Sequence, residues 1–362
     1  MTRTNDRYEY MHRLPAGTSG VAAAGAPMIG HARMSFAPGR LAGALVPPLV
    51  IIGLLYAGLF IKPAPSGQAV PTPALERRDA FFGLDLPAPG VIWAAGSRGK
   101  IVRSEDDGAR WVVQATPTAE HLQDLAAWDA RRAVAVGNQG VVLRTVDGGA
   151  HWAAVQAPRS EVANKLLRVL ALPGGRALAV GEMGALLAGE DYGRSWRRLV
   201  AERDIGFNAV ARAGDTLWVA GEGGLLMRSD DGGAHWREVA LPVAASLTGI
   251  AFRDERHGVA VGLDGTVLST GDGGERWIDR SLPSAGHLYD VAVDGDGWRA
   301  VGVRDVLVRG AADGGRWRLE RATGASLAWH SKAVGRDGRW VYAGPGPSLA
   351  AQSAPRKRGG GA

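Results

Sequence analysis

A chain of 362 residues that is 46% apolar has ample material for a core. It contains no cysteine, which excludes disulfides, thiolate metal sites, cysteine nucleophiles and a lipid anchor attached through cysteine. Its net charge of +6 sits largely in residues 1–40, at Lys62 and in the run Arg356, Lys357, Arg358, leaving residues 80–353 nearly neutral, so a nucleic-acid partner loses its electrostatic support.

Residues 1–40 show no sustained periodicity and are rich in Gly, Ala, Pro and Arg, the composition of a disordered extension. Residues 41–61, LAGALVPPLVIIGLLYAGLFI, carry no charge, and a helix of that length crosses a bilayer core of about 30 Å. The stretch is too long for the apolar core of a signal peptide, about 7–15 residues, and reads as an uncleaved transmembrane anchor. Arginines precede it, which predicts a cytoplasmic amino end and export of everything after Lys62. The chain is therefore expected to be a single-pass protein of the bacterial inner membrane with a periplasmic domain. Residues 62–79 begin as a proline-rich tether favouring extended polyproline II and end in a segment expected to supply a closing strand.

From residue 80 onward the sequence repeats. The pattern SxDxGxxW, clearest as SDDGGAHW at residues 229–236, ends at Trp111, Trp152, Trp196, Trp236, Trp277 and Trp317, spaced by 41, 44, 40, 41 and 40 residues. Five residues before the tryptophan stand Asp106, Asp147, Asp191, Asp231 and Asp272, with Ala312 in the sixth copy. A glycine lies three residues before each tryptophan. Aspartate accepts backbone N–H groups across a tight turn, and glycine takes the positive φ such a turn needs. The indole then buries roughly 150–250 Å² beside the turn, about 4–6 kcal/mol gross at about 25 cal/mol per Å².

Each repeat also holds four short alternating strands, as in LTGIAF, GVAVG, TVLST and WIDRS of the fifth. A GxxG joins strands two and three at Gly96/Gly99, Gly137/Gly140, Gly181/Gly184, Gly221/Gly224 and Gly262/Gly265, while Gly302 is followed by Asp305. No helical pattern follows these glycines, so they are not phosphate loops. A period of 40 to 45 residues built from such strands marks a radial β array. Six boxes and three more strand-like stretches within residues 330–352 predict an all-β, seven-bladed propeller of four-stranded blades over residues 80–353. The segment before Phe81 would complete the seventh blade and remove the open edges. Residues 354–362 read as a basic, disordered tail.

The box is similar to the Asp box, or BNR repeat. Across residues 80–353 the pattern VGxxGxVLRSxDGGxxW resembles the photosystem II stability and assembly factor family within the sialidase-like propeller group. The resemblance implies that the box residues are structural, that the chain is not an enzyme, and that no cofactor or metal is needed. It implies a binding role like that of family members acting as assembly chaperones for immature membrane subunits, or of bacterial relatives encoded with RND-type exporters. The expected function is thus a membrane-anchored assembly, stability or accessory factor for an inner-membrane complex, plausibly an RND-type exporter. The alternative is a sialidase-like glycoside hydrolase or glycan-binding module, for which Tyr289 beside Asp290 is the one tyrosine–acid pair placed to face a channel. No arginine-containing sialidase signature precedes the first box, and the eight histidines lack metal-ligand spacing.

Two surfaces are candidates for partner binding. Loops joining strands two to three and four to one form the face opposite the boxes, carrying Arg98, Arg304, Glu161, Glu182, Glu202 and Glu222. The four glutamates fall on the third and fourth repeats and predict a negative patch for a basic or polar partner. The other candidate is an arginine eight residues before the box tryptophan, Arg103, Arg144, Arg228 and Arg309. Its recurrence by repeat favours pairing with acids or covering a tryptophan over an arginine binding patch.

Overall fold

The computed structural model describes residues 38–60, 73–321, 328–346 and 352–353. Most of the extension and tether, and the whole of the tail, lie outside them. The chain divides into residues 1–70 and residues 71–362. In the first unit Pro38–Phe60 form a helix with Pro47 and Pro48 inside it. Among the described residues no helix is long and apolar enough to cross a membrane; where the sequence predicts the anchor, the structure shows this helix.

Among its described residues the second unit contains six four-stranded antiparallel sheets, each a meander of consecutive strands. Blade one runs from Phe81–Ala88 to Val112–Gln114, blade two from Leu122–Ala127 to Ala153–Val155, and blade three from Leu166–Leu172 to Ser195–Arg198. Blade four runs from Phe207–Ala213 to Arg237–Glu238, blade five from Leu247–Phe252 to Ile278–Asp279, and blade six from Leu288–Asp294 to Trp317–Arg321. The first strands follow one another around an axis. A further sheet of three strands, Lys332–Arg336, Arg339–Ala343 and Gln352–Ser353, touches blade six and blade one through its first strand.

The expectation of seven four-stranded blades is thereby corrected: among the described residues six blades are complete, and the sheet between blades six and one has three strands. Residues 73–80 do not become its fourth strand: among them, polar groups are spent on one another. The Asp79 N–H donates to Glu76 O at 3.1 Å, and the Glu76 N–H donates to Asp79 Oδ2 at 2.7 Å. What remains is an isolated bridge, Ala80 with Pro345, flanked by the Phe81 N–H to Gly344 O and the Gly346 N–H to Asp79 O, at 2.9 and 2.7 Å.

Second strands such as Val91–Gly96 and Ala133–Gly137 are buried along their whole length, which suits their small and β-branched residues. The core lies in the seams between blades. Trp93 on blade one meets Trp152 of the second box edge to face at 5.6 Å, and Trp218 on blade four meets Trp277 of the fifth box at 5.9 Å. A box tryptophan therefore ties its blade to the one before as well as closing its own turn. The paired glycines do different work: a Cβ on Gly137 would lie 2.2 Å from His121 O, whereas Gly265 takes a φ of 71°. In the sixth repeat Asp305 adopts that left-handed conformation, φ 58°.

Candidate functional site

The box turns are built by a residue seven positions before the tryptophan. Thr145 Oγ1 accepts the Gly149 N–H at 2.9 Å and donates to Asp147 Oδ1 at 2.8 Å, and that carboxylate oxygen accepts the His151 N–H at 3.0 Å. Ser104 with Asp106, Ser229 with Asp231 and Thr270 with Asp272 repeat the arrangement. Backbone N–H donation, from His151, His235, Arg110 and Arg276 respectively, is the main cause holding the Asp147, Asp231, Asp106 and Asp272 carboxyls below the usual range.

The third and sixth boxes differ, having Gly189 and Gly310 in that position. The rings of Trp196 and Trp317 lie over these glycines, where a Cβ would come within 2.8 and 2.7 Å of the indole. Asp191 itself is left-handed, φ 50°, and among the described residues its carboxylate accepts no bond. Five of the six boxes carry the predicted aspartate, then, but four use it as a brace.

The strand-three arginines sit beside acids and tryptophans. Arg103 lies 5.0 Å over the Trp93 ring, donates to Ala130 O at 3.0 Å and pairs with Glu105. Arg228 lies 5.4 Å over Trp218 and pairs with Asp230 and Glu275. Arg309 pairs with Glu320 at 2.8 Å. Arg144 is half-buried, and its Nε has no partner.

On the opposite face a pocket of about 530 Å³ opens at the mouth of the axial channel. Its walls come from one recurring position, the second residue of the first strand: Gln123, Leu167, Asn208, Thr248 and Tyr289, with Ser331 beside them. Lys165, Glu222 and Trp329 stand at the rim. Trp329 stacks on Phe82 at 5.5 Å and 5°, making an aromatic shelf. Several wall groups are spent on the frame: Asn208 Nδ2 donates to Leu247 O, and Thr248 Oγ1 to Leu288 O. The Tyr289 hydroxyl, Trp329 Nε1 and Lys165 Nζ have no hydrogen-bond partner among the described residues.

Of the predicted surface residues, only Glu222 lines this mouth. Glu222 Oε2 accepts the Gly206 N–H at 2.8 Å, Glu182 Oε2 the Lys165 N–H at 2.9 Å, and Glu202 Oε1 the Ser160 hydroxyl at 2.6 Å. Glu161 is exposed. Arg98 donates to the buried Asp79 at 3.2 Å, and Arg304 is exposed in a left-handed turn. Glu182 and Glu222 hold the same slot in successive blades and do the same local job.

Beneath the mouth a charged layer fills the channel. Lys332 Nζ reaches Asp124 Oδ1 at 2.6 Å. Arg168 Nη2 crosses the axis to Ser331 O at 2.9 Å and Tyr289 O at 3.3 Å. Each acid also braces a neighbouring blade: Asp85 accepts the Ala127 N–H, Asp124 the Val169 N–H and Asp290 the Ala333 N–H, at 2.7, 3.0 and 3.0 Å. Burial pushes the Asp290 carboxyl up, against the opposing pull of Arg168 and Lys332, and pushes Asp85 up as well. Asp290 is therefore occupied below the floor, while Tyr289 lines the mouth. Sequence reasoning missed Gln123, Arg168, Asn208 and Lys332; the available signal was their place within the first three residues of a first strand.

Comparison with known proteins places this geometry. Residues 109–205 and 234–322 match the family described as photosynthesis system II assembly factor YCF48, slightly more than half of the chain. No curated protein matches the sequence. Among solved structures, the chain is similar to YCF48 bound to D1 peptide, with a TM-score of 0.62 and 17% identity over 74% of this chain and 91% of that one. It is similar to YCF48 from Cyanidioschyzon merolae, with a TM-score of 0.61 and 20% identity over 76% and 94%. An ancestral GH74 enzyme is similar at a TM-score of 0.54 and 15% identity, over 69% of this chain and 39% of that one. At these identities the structural likeness is one of fold.

Proposed function

This chain belongs to the photosynthesis system II assembly factor YCF48 family, and from that premise we propose that it is a non-catalytic binding propeller that holds a protein partner during assembly of a complex. The observation that carries this is the channel mouth: an open pocket of about 530 Å³ with three uncommitted polar groups and an aromatic shelf, suited to an extended peptide segment. A relative is known bound to a D1 peptide, which supports the same kind of ligand here. Catalysis by Tyr289 and Asp290 is disfavoured because the aspartate accepts the Ala333 N–H under the floor.

The finer reading is that the charge-free residues 41–61 attach the chain to the bacterial inner membrane, with the propeller in the periplasm. The partner is then an inner-membrane complex, with an RND-type exporter the first to test. The experiment is affinity capture of the full-length chain from detergent-solubilised host membranes, comparing wild type with Tyr289→Ala and Trp329→Ala. A near-stoichiometric integral membrane protein that both variants lose is expected. Retention by both variants would refute the mouth as the site. Loss of the chain itself from carbonate-washed membranes would refute the anchor. Cleavage of glycans by the purified chain would replace the binding role with the hydrolase.

A further inference from the structure

After blade two the repeat departs from its own length. From a box tryptophan to the start of the next first strand the chain takes 11 positions after blades one, three, four and five, but 14 from Trp152 to Leu166. The extra residues lie in the loop that joins blades two and three beside the mouth, where Lys165 stands at the rim. Side chains fold this loop on itself. The Ser160 N–H donates to Asn164 Oδ1 and Asn164 Nδ2 donates back to Ser160 O, both at 2.7 Å. Ser160 Oγ accepts the Val162 N–H at 3.0 Å and donates to Glu202 Oε1 at 2.6 Å. The Gly140 N–H of the neighbouring turn donates to Asn164 O. Ser160 is thereby buried, while Val162 is 75% exposed, the most exposed large apolar side chain among the described residues.

A lone surface valine is ordinary. This one is held out by an inserted loop whose side chains bond one another, so the cost of ordering it for a partner is already met by the fold. Its neighbours set the charge. Glu161 is exposed, and Glu202 meets only the Ser160 hydroxyl, so among the described residues no cation neutralises either acid. The nearby cations are turned elsewhere: Arg159 lies over Gly140, where a Cβ would come within 3.1 Å of its Nε, and Arg203 is engaged by Glu238 at 2.9 Å. We propose that residues 158–164 form a second contact for the protein partner, seating Val162 in an apolar socket rimmed by Lys or Arg. This rests on the binding role proposed above, and not on the mouth being its site.

The test places an aliphatic diazirine amino acid at position 162 of the full-length chain and irradiates host cells. One discrete adduct is expected, in a yield roughly fivefold or more above that from the same probe at Val112, which is 64% exposed on the outer strand of blade one. Mass spectrometry is expected to find the attachment on an apolar residue flanked by Lys or Arg. Glu161→Lys is expected to cut the yield by roughly threefold or more, as reversing one member of an exposed ion pair does. No adduct at 162, an equal one at 112, attachment to an acidic segment or to a second copy of this chain, or a yield untouched by Glu161→Lys would overturn the proposal. If Tyr289→Ala and Trp329→Ala lose the partner while position 162 gives no adduct, the loop contact falls and the mouth stands. An adduct that survives Tyr289→Ala supports the loop contact and counts against the mouth.

Discussion

Replacing Lys332 by methionine keeps most of the side-chain volume and removes the cation that neutralises Asp124. The two groups are 2.6 Å apart, with side chains 18% and 1% exposed. The stranded carboxylate would keep only the Val169 N–H at 3.0 Å. Leaving a buried charge unpaired costs about 3–5 kcal/mol, a fall of roughly 6–20 °C in melting temperature at about 2–4 °C per kcal/mol. Asp124→Asn is milder, about 1–3 kcal/mol, since the amide oxygen still accepts the Val169 N–H and the lysine retains some solvent. The double variant removes both members of the pair and strands neither, so it is expected to be more stable than Lys332→Met alone. Denaturant melts of wild type, both singles and the double, followed by tryptophan fluorescence, close the cycle. A Lys332→Met variant within about 1 kcal/mol of wild type, or costs that simply add in the double, would refute the reasoning.

Thr145→Val strips the hydroxyl that accepts the buried Gly149 N–H and is expected to cost about 1–3 kcal/mol in the same melts. Restoring the apparently missing serine with Gly189→Ser should also destabilise, by about 1–3 kcal/mol, because its Cβ would sit 2.8 Å from the Trp196 ring; a gain in stability would count against this geometry. The folded carboxyls of Asp106, Asp147, Asp231 and Asp272 are held low. Their contribution is therefore complete above the ordinary aspartate pKa of about 3.9 and is lost as pH falls through the folded values. Asp147→Asn should flatten stability measured from pH 5 down to pH 2. Asp290 is raised by burial, so the sign reverses: its stability term is present at low pH and is lost as pH rises from about 3.9 through the folded value. Asp290→Asn keeps an acceptor for the Ala333 N–H, and melts across pH 4–8 should find it at least as stable as wild type at pH 7 with a flatter profile.

The blades were legible because the features that specify them are local. A turn of eight residues needs its aspartate, its glycines and its tryptophan wherever it occurs, and a GxxG needs one glycine close to a carbonyl and one left-handed backbone. Those demands print themselves into most repeats, the sixth having Ala312 for the aspartate and Asp305 for the second glycine. The incomplete sheet was misjudged for the complementary reason: three strand-like stretches with no box specify a sheet but not its fourth strand. Whether residues 73–80 extend or curl is decided by Asp79 capturing the Glu76 N–H, one contact that no periodicity encodes.

The charged layer was hidden more deeply. Asp124, Arg168, Asp290 and Lys332 belong to blades two, three and six and to the last sheet, and Lys332 meets Asp124 across 208 positions of sequence. A period near 40 puts Asp124, Arg168 and Asp290 in one slot, the third residue of a first strand, yet residues facing one another across an axis pair with opposite charge, so a consensus by residue type passes over them. The same logic separates the acids on the face. Glu182 and Glu222 recur in one slot because each fastens the loop before its own first strand. Lys165, Tyr289 and Trp329 stand in slots whose residue type changes from blade to blade, and they are the ones that leave a polar group free at the mouth. In a repeat fold, departure from the repeat is therefore a better guide to a binding site than its most regular residues.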